Sequence, residues 1–232
     1  AAQSWELTAL GDSFAWLTGW PTQYADMASA EFGVGISVNG DVCLGGCRPD
    51  SLTRVRDSED LQGLIANAEI IVLQPQLGRV VAPQWTSYFD GECAGEDGLG
   101  CFRQAEAEFR IYVEEFFDEV IALSQPGAVI RTTVAGSWAI DAFHPGLRDT
   151  DPETFEALLE NILILGDQVA EAAANRCILT VDVSTLFSGP DYRQPIKPEY
   201  SNDGSHPSQE GSRVIAESLH SLGYESTMGG CS

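Results

Sequence analysis

Basic side chains are scarce in this chain of 232 residues. Twelve Lys and Arg face 35 Asp and Glu, a formal net charge of −23, and eleven of the twelve are Arg, leaving Lys197 alone. A surface this acidic repels phosphate backbones and anionic membrane surfaces, and no basic stripe tracks along the chain, so nucleic acid is excluded as a partner. Long apolar runs are also missing. None approaches the roughly 20 residues that a spanning helix requires. Histidine is rare, with three residues at 144, 206 and 220, so a mechanism that needs an imidazole has few places to find one.

What the chain has is 44% hydrophobic content, enough for a full core at this length. That excludes a disordered chain and a miniprotein held by disulfides alone. With no repeat, low-complexity tract or Pro/Ser linker, residues 1–232 are expected to form one domain. The sequence opens Ala1-Ala2-Gln3-Ser4 without a Met or a charged-then-apolar leader, which reads as a processed mature form.

The six cysteines, at 43, 47, 93, 101, 177 and 231, form an even set. Cys43/Cys47 and Cys93/Cys101 would each close a short loop, leaving Cys177 and Cys231 for each other. Buried free thiols and a zinc half-site at Cys43-x3-Cys47 are the alternatives, and zinc lacks a second matching pair. Disulfides imply export, so the protein is expected to be extracellular.

Short apolar runs alternate with longer amphipathic ones, the pattern of βα units around a parallel sheet. Strands are predicted at Glu6–Leu10, Ile36–Val42, Glu69–Leu73, Ala128–Val134 and Cys177–Val183, apolar on both faces as buried parallel strands are. Helices are predicted at about Arg103–Leu123, Pro152–Asn175 and Gln209–Leu222, the second opened by Thr150 or Asp151 as a cap with Pro152 in the first turn. The stretch Gln74–Cys101 breaks the alternation. It reads as a loop insertion at the carboxyl end of the third strand, where ligands sit in open α/β sheets, and so as a pocket wall or a disulfide-pinned surface loop.

Chemistry starts at Gly11-Asp12-Ser13, where the first strand meets a helix. A serine there has its hydroxyl at the carboxyl edge of the sheet, although any serine can cap a helix. A serine nucleophile needs a base within hydrogen-bond reach and a group that orients the base. His220 lies on the polar side of the last helix and His144 has no acidic residue at a familiar offset. His206 differs: in Asp203-Gly204-Ser205-His206 a carboxylate stands three residues ahead on a tight turn, placed to hold the imidazole tautomer. Only a neutral imidazole accepts the serine proton, so the reading predicts a rate that rises with pH as His206 loses its proton.

Gly11-Asp12-Ser13 after the first strand, together with Asp203-x-x-His206 near the C-terminus, resembles the SGNH, or GDSL, family of serine esterases and lipases. The alternating βα layout extends the resemblance over nearly the whole chain. It implies a three-layer α/β/α sandwich with a parallel five-stranded sheet, flavodoxin-like, and hydrolysis of carboxylic esters through an acyl-serine intermediate. Ser13 would attack, His206 would act as base and then acid, and Asp203 would orient His206. The oxyanion would be held by the N–H of Ser13, the N–H of Gly46 and an amide side chain in the third block.

That third block departs from the pattern. The family has Gly-x-Asn-Asp where this chain has Gln74-Pro75-Gln76-Leu77, so the Asn position falls on Gln76, with Gln74 as the second candidate. No cofactor or metal is implied, and the expected partner of a monomeric protein is a small-molecule, lipid or glycan ester. Trp16, Trp20, Trp85, Tyr88 and Trp138 are expected near the mouth, to stack sugars or bury an acyl chain, and Trp5 in the core. Three functions follow: an esterase or lipase on acyl esters, a carbohydrate O-acetyl esterase, or a weakened domain that binds glycan or lipid without turnover.

Overall fold

The structure is a computed structural model, and it describes residues 4–16, 18–41, 50–75 and 77–226, with the backbone alone at Trp16, Asp41, Gly78 and Arg79. Five strands form one all-parallel sheet: β1 (Ser4–Leu10), β2 (Gly35–Asp41), β3 (Ile70–Leu73), β4 (Val129–Val134) and β5 (Leu179–Asp182). Their spatial order is β2-β1-β3-β4-β5. The order turns at β1: the chain moves outward to β2 and then returns to β3 on the other side. A crevice opens at such a point, beyond the carboxyl ends of the two central strands.

The period-two alternation of a strand divides the core into two layers. Leu10, Ile71, Leu73 and Ile130 face a layer built by α3 (Ser51–Asp57), α4 (Glu59–Asn67), α5 (Leu77–Phe89), α6 (Gly100–Leu123) and α9 (Pro152–Ala174). Leu7, Ala9, Ile70, Val72 and Val181 face the opposite layer, of α1 (Ser13–Trp16), α2 (Trp20–Phe32), α10 (Val183–Ser188) and α11 (Gln209–Ser221). Two short helices, α7 (Ala139–Phe143) and α8 (Leu147–Thr150), follow β4. The α/β/α sandwich with a five-stranded parallel sheet therefore stands as expected. Asp151 caps α9 by accepting the Thr154 N–H, with Pro152 in the first turn.

Three expectations need correction. Burial on both faces holds for the interior strands β3 and β4. At the edges, β2 is exposed at Gly35 and Ser37 and no more than half-buried through Gly40, and β5 begins with exposed Leu179, because an edge strand has a neighbour on one side only. The fifth strand is also shorter than Cys177–Val183: Cys177 has φ 59° and lies in the turn before it, and Val183 opens α10. Finally, the stretch after β3 opens with helix α5, and only residues 90–99 remain a loop, pinned by the Cys93–Cys101 disulfide. Leu77, Val81 and Trp85 recur every fourth residue and are all buried, so packing of that face outweighs the ladder bond that Pro83 removes.

Cys93 and Cys101 form a disulfide from the loop after α5 to the first turn of α6, Cα–Cα 4.9 Å. Cys177 is disulfide-bonded; Cys43, Cys47 and Cys231 lie outside the described residues. No helix among the described residues is long and apolar enough to cross a membrane.

Candidate active site

Ser13 is the first residue of α1, three residues past the end of β1. The turn that carries it is built on Asp12. The Asp12 Oδ1 accepts the Phe14 N–H at 3.0 Å and the Asp12 carbonyl accepts the Ala15 N–H at 3.0 Å, so this residue caps the helix with side chain and main chain together.

The loop from Ser201 to Pro207 comes from the opposite end of the chain. An isolated antiparallel bridge between Ser201 and Pro207 closes it, and the Ser201 Oγ donates to the His206 carbonyl at 2.8 Å. Gly204 stands in the left-handed region at φ 79°, where a side chain is strained, and a Cβ there would press on Ala142 of α7 at 3.2 Å. Within this loop the Asp203 Oδ1 accepts the N–H groups of Ser205 (2.8 Å) and His206 (2.6 Å), folding the carboxylate back under the imidazole.

The two segments meet at hydrogen-bond distance. His206 Nε2 is 3.0 Å from Ser13 Oγ, and His206 Nδ1 is 2.7 Å from Asp203 Oδ2. The partners fix the tautomer: an ionised carboxylate only accepts, so Nδ1 carries the proton and Nε2 is left to accept from the Ser13 hydroxyl. Burial pushes the Asp203 carboxyl up, but the His206 N–H, the His206 ring and the Ser205 N–H together outweigh it and hold the group at about 2. Asp203 is thus ionised across the range in which an imidazole can be neutral. Asp12 moves the other way: burial raises its pKa, against the Phe14 N–H and the His206 charge.

Trp138 ties both segments together. Its Nε1–H donates to the Ser205 carbonyl at 3.1 Å, while its ring packs against Phe14 (centroids 5.7 Å) and Phe187 (4.8 Å). The indole is 1% exposed, so one side chain links the helix of Ser13 to the loop of His206.

The remaining sequence candidates divide. Gly46 and Gln76 lie outside the described residues. Gln74 is buried, its Nε2 donates to the Pro75 carbonyl and its Oε1 accepts the Asp12 N–H. His220 pairs with the Tyr224 hydroxyl at 2.9 Å. His144 sits against Trp85 and Phe89 with its pKa lowered by burial, away from any carboxylate partner among the described residues.

The aromatic expectation needs correction at four of its five mouth residues, the Trp16 side chain lying outside the described residues. Trp20, Trp85 and Trp138 are core residues, Tyr88 stacks on Phe102, and Trp5 is half-buried against Phe32. Among the described residues the exposed aromatics are Phe32, beside Trp5, and two on the other layer, Phe89 (45% exposed), in the stretch expected to wall a pocket, and Phe143 (61% exposed), which the sequence reading passed over. Phe143 follows Ala142, which touches Gly204, and a chain of ring contacts runs from Phe143 through Trp85 (6.5 Å) to His144 (5.5 Å) and Phe89 (4.5 Å). Nothing in the periodicity of a five-residue helix marks Phe143 as exposed. A cavity of about 180 Å³ opens elsewhere, beside β5, lined by Val134, Ile162, Gly166, Asp182 and Tyr192, and Ser13, Asp203 and His206 do not line it.

Comparison with known proteins agrees with this architecture. No protein-family model and no curated protein sequence matches the chain. Solved structures do. A lipase from a goat rumen metagenome superposes with a TM-score of 0.74 at 16% identity, over 96% of this chain and 99% of the other. An acetyl xylan esterase from Geobacillus stearothermophilus gives 0.63 at 16%, covering 95% of each chain. A GDSL-like lipase from Bacteroides thetaiotaomicron gives 0.59 at 16%, covering 94% and 86%. The chain has the SGNH-hydrolase fold, and the resemblance drawn from Gly11-Asp12-Ser13 and Asp203-x-x-His206 holds at that level.

Proposed function

We propose that the protein is an extracellular serine hydrolase that cleaves carboxylic esters. The observation that carries this reading is the hydrogen-bonded series Ser13 Oγ, His206 Nε2, His206 Nδ1, Asp203 Oδ2, at 3.0 and 2.7 Å, on a fold that lipases and esterases share. In the proposed mechanism His206 Nε2 takes the Ser13 proton as Oγ attacks the ester carbonyl. Asp203 then stabilises the imidazolium. His206 gives the proton to the departing alcohol, leaving acyl-Ser13. Water, deprotonated by the same imidazole, releases the acid. The Ser13 N–H holds the developing oxyanion, with Gly46 and the Gln76 amide as the expected further donors; losing one such donor costs about 3 kcal/mol of barrier.

Within this class we place the substrate among acyl esters with an apolar chain. Phe143 and Phe89 lead away from the catalytic loop and are phenyl rings without a polar atom, a surface that gains from methylene burial at about 0.8 kcal/mol per group. The acetyl xylan esterase among the structural neighbours favours the second reading, a carbohydrate O-acetyl esterase. Hydrolysis of a p-nitrophenyl ester series from acetyl to palmitoyl, with Ser13→Ala as control, tests both. An optimum beyond acetyl supports the acyl reading and an acetyl-only profile the second; activity retained in the variant, or none in wild type, refutes both.

A further inference from the structure

We propose that Gln74 is a positioning residue for the nucleophile turn, a role that rests on the reading of Ser13 as nucleophile and goes beyond it. Gln74 is the first residue after β3, and its N–H donates to the Leu10 carbonyl at 2.8 Å, so β3 stays laddered to β1 one step past the sheet, at the crevice. From there its side chain folds over Gly11. A Cβ on Gly11 would lie 2.8 Å from Gln74 Oε1 and 3.0 Å from Gln74 Cβ, so the missing side chain at 11 and the long one at 74 occupy one space. Gln74 is 4% exposed.

The amide is keyed. Its Oε1 accepts the Asp12 N–H at 3.1 Å, and its Nε2 donates to the Pro75 carbonyl at 3.1 Å. A backbone N–H only donates and a carbonyl only accepts, so a single orientation of the amide makes both bonds; the Pro75 carbonyl also accepts the Leu77 N–H at 2.9 Å, so it is the Asp12 N–H that loses its partner when the side chain at 74 has no acceptor. Asp12 passes the constraint on, since its own carboxylate and carbonyl hold the N–H groups of Phe14 and Ala15. The peptide of Ser13 is thereby bracketed: Gln74 fixes the one before it and Asp12 the two after it. Where the third block of the SGNH pattern has glycine, this chain has a side chain that supports the nucleophile turn from beneath.

Three variants and two readouts test the assignment. Gln74→Met keeps length and burial and removes both bonds. It is expected to lower kcat on the best p-nitrophenyl ester about tenfold or more, with KM within roughly twofold, because the turn is needed in the transition state rather than for binding. Gln74→Glu retains an oxygen toward the Asp12 N–H and is expected to keep more of kcat, which also covers failure of Gln74→Met to fold. Val113→Ala, in the core of α6, is expected to lower thermal stability with kcat unchanged. Amide hydrogen exchange supplies a readout without turnover: the Asp12 N–H is expected to be protected in wild type and to exchange faster in Gln74→Met. Wild-type kcat in Gln74→Met, an equal kcat loss in Val113→Ala, or unchanged Asp12 exchange overturns the proposal. An inactive wild type refutes the esterase reading instead, and the Asp12 exchange still decides whether Gln74 holds the turn.

Discussion

Replacing Trp138 with Phe isolates one hydrogen bond. The benzyl ring retains packing against Phe14 and Phe187, while the indole N–H that reaches the Ser205 carbonyl at 3.1 Å is lost. The bond itself contributes about 0.5–1.5 kcal/mol, and the smaller ring leaves a space in a fully packed core, for a total of about 1–3 kcal/mol. For a domain of this size that is a fall in Tm of about 3–10 °C. The effect on rate is expected to be larger than stability alone conveys. Ser205 lies between Asp203 and His206, so releasing its carbonyl lets the imidazole drift from Ser13, and a displacement of about 1 Å costs on the order of a hundredfold. Thermal melts and steady-state kinetics on one ester measure the two effects separately. A lowered Tm with wild-type kcat would refute the claim that Trp138 sets the alignment of the two segments, and no change in either would refute the energetics as well.

Two further outcomes follow from the same geometry. Asp203 has a folded pKa of about 2 against an ordinary 3.8, so its ionised form favours the folded loop above pH 4, and that contribution is lost as pH falls toward 2. Wild type is therefore expected to lose more stability than Asp203→Asn between pH 4 and 2 in acid titrations followed by circular dichroism; parallel curves would contradict the carboxylate's place in the loop. Converting Cys93 and Cys101 together to Ser opens a loop of eight residues' separation, and is expected to cost about 2.5 kcal/mol in denaturant melts with kcat unchanged, since the bridge joins the loop after α5 to the first turn of α6.

Much of this arrangement is legible in the sequence because it rests on local rules. Interior β3 is uniformly apolar, β4 is rich in β-branched residues, and α6, α9 and α11 carry long periodic faces, so each element announces itself. The pairing of Ser13 with Asp203 and His206 is legible for another reason: strand ends at one sheet edge bring distant loops together, and a three-residue offset on a glycine turn suits one carboxylate to one imidazole. Helix α5 is obscured because Pro83 argues against it and only packing of Leu77, Val81 and Trp85 decides for it. The roles of Trp138 and Gln74 are invisible in sequence, since each depends on which backbone group a buried side chain reaches across 62 or 67 residues. Phe143 escapes for the converse reason: aromatic composition does not say which rings a fold leaves uncovered.

The most direct test of the central claim is labelling with a fluorophosphonate followed by peptide mass spectrometry. One label per chain, on Ser13 and strongly slowed in His206→Gln, is the predicted result. An unlabelled native protein, or a label on another residue with Ser13 untouched, would contradict the account.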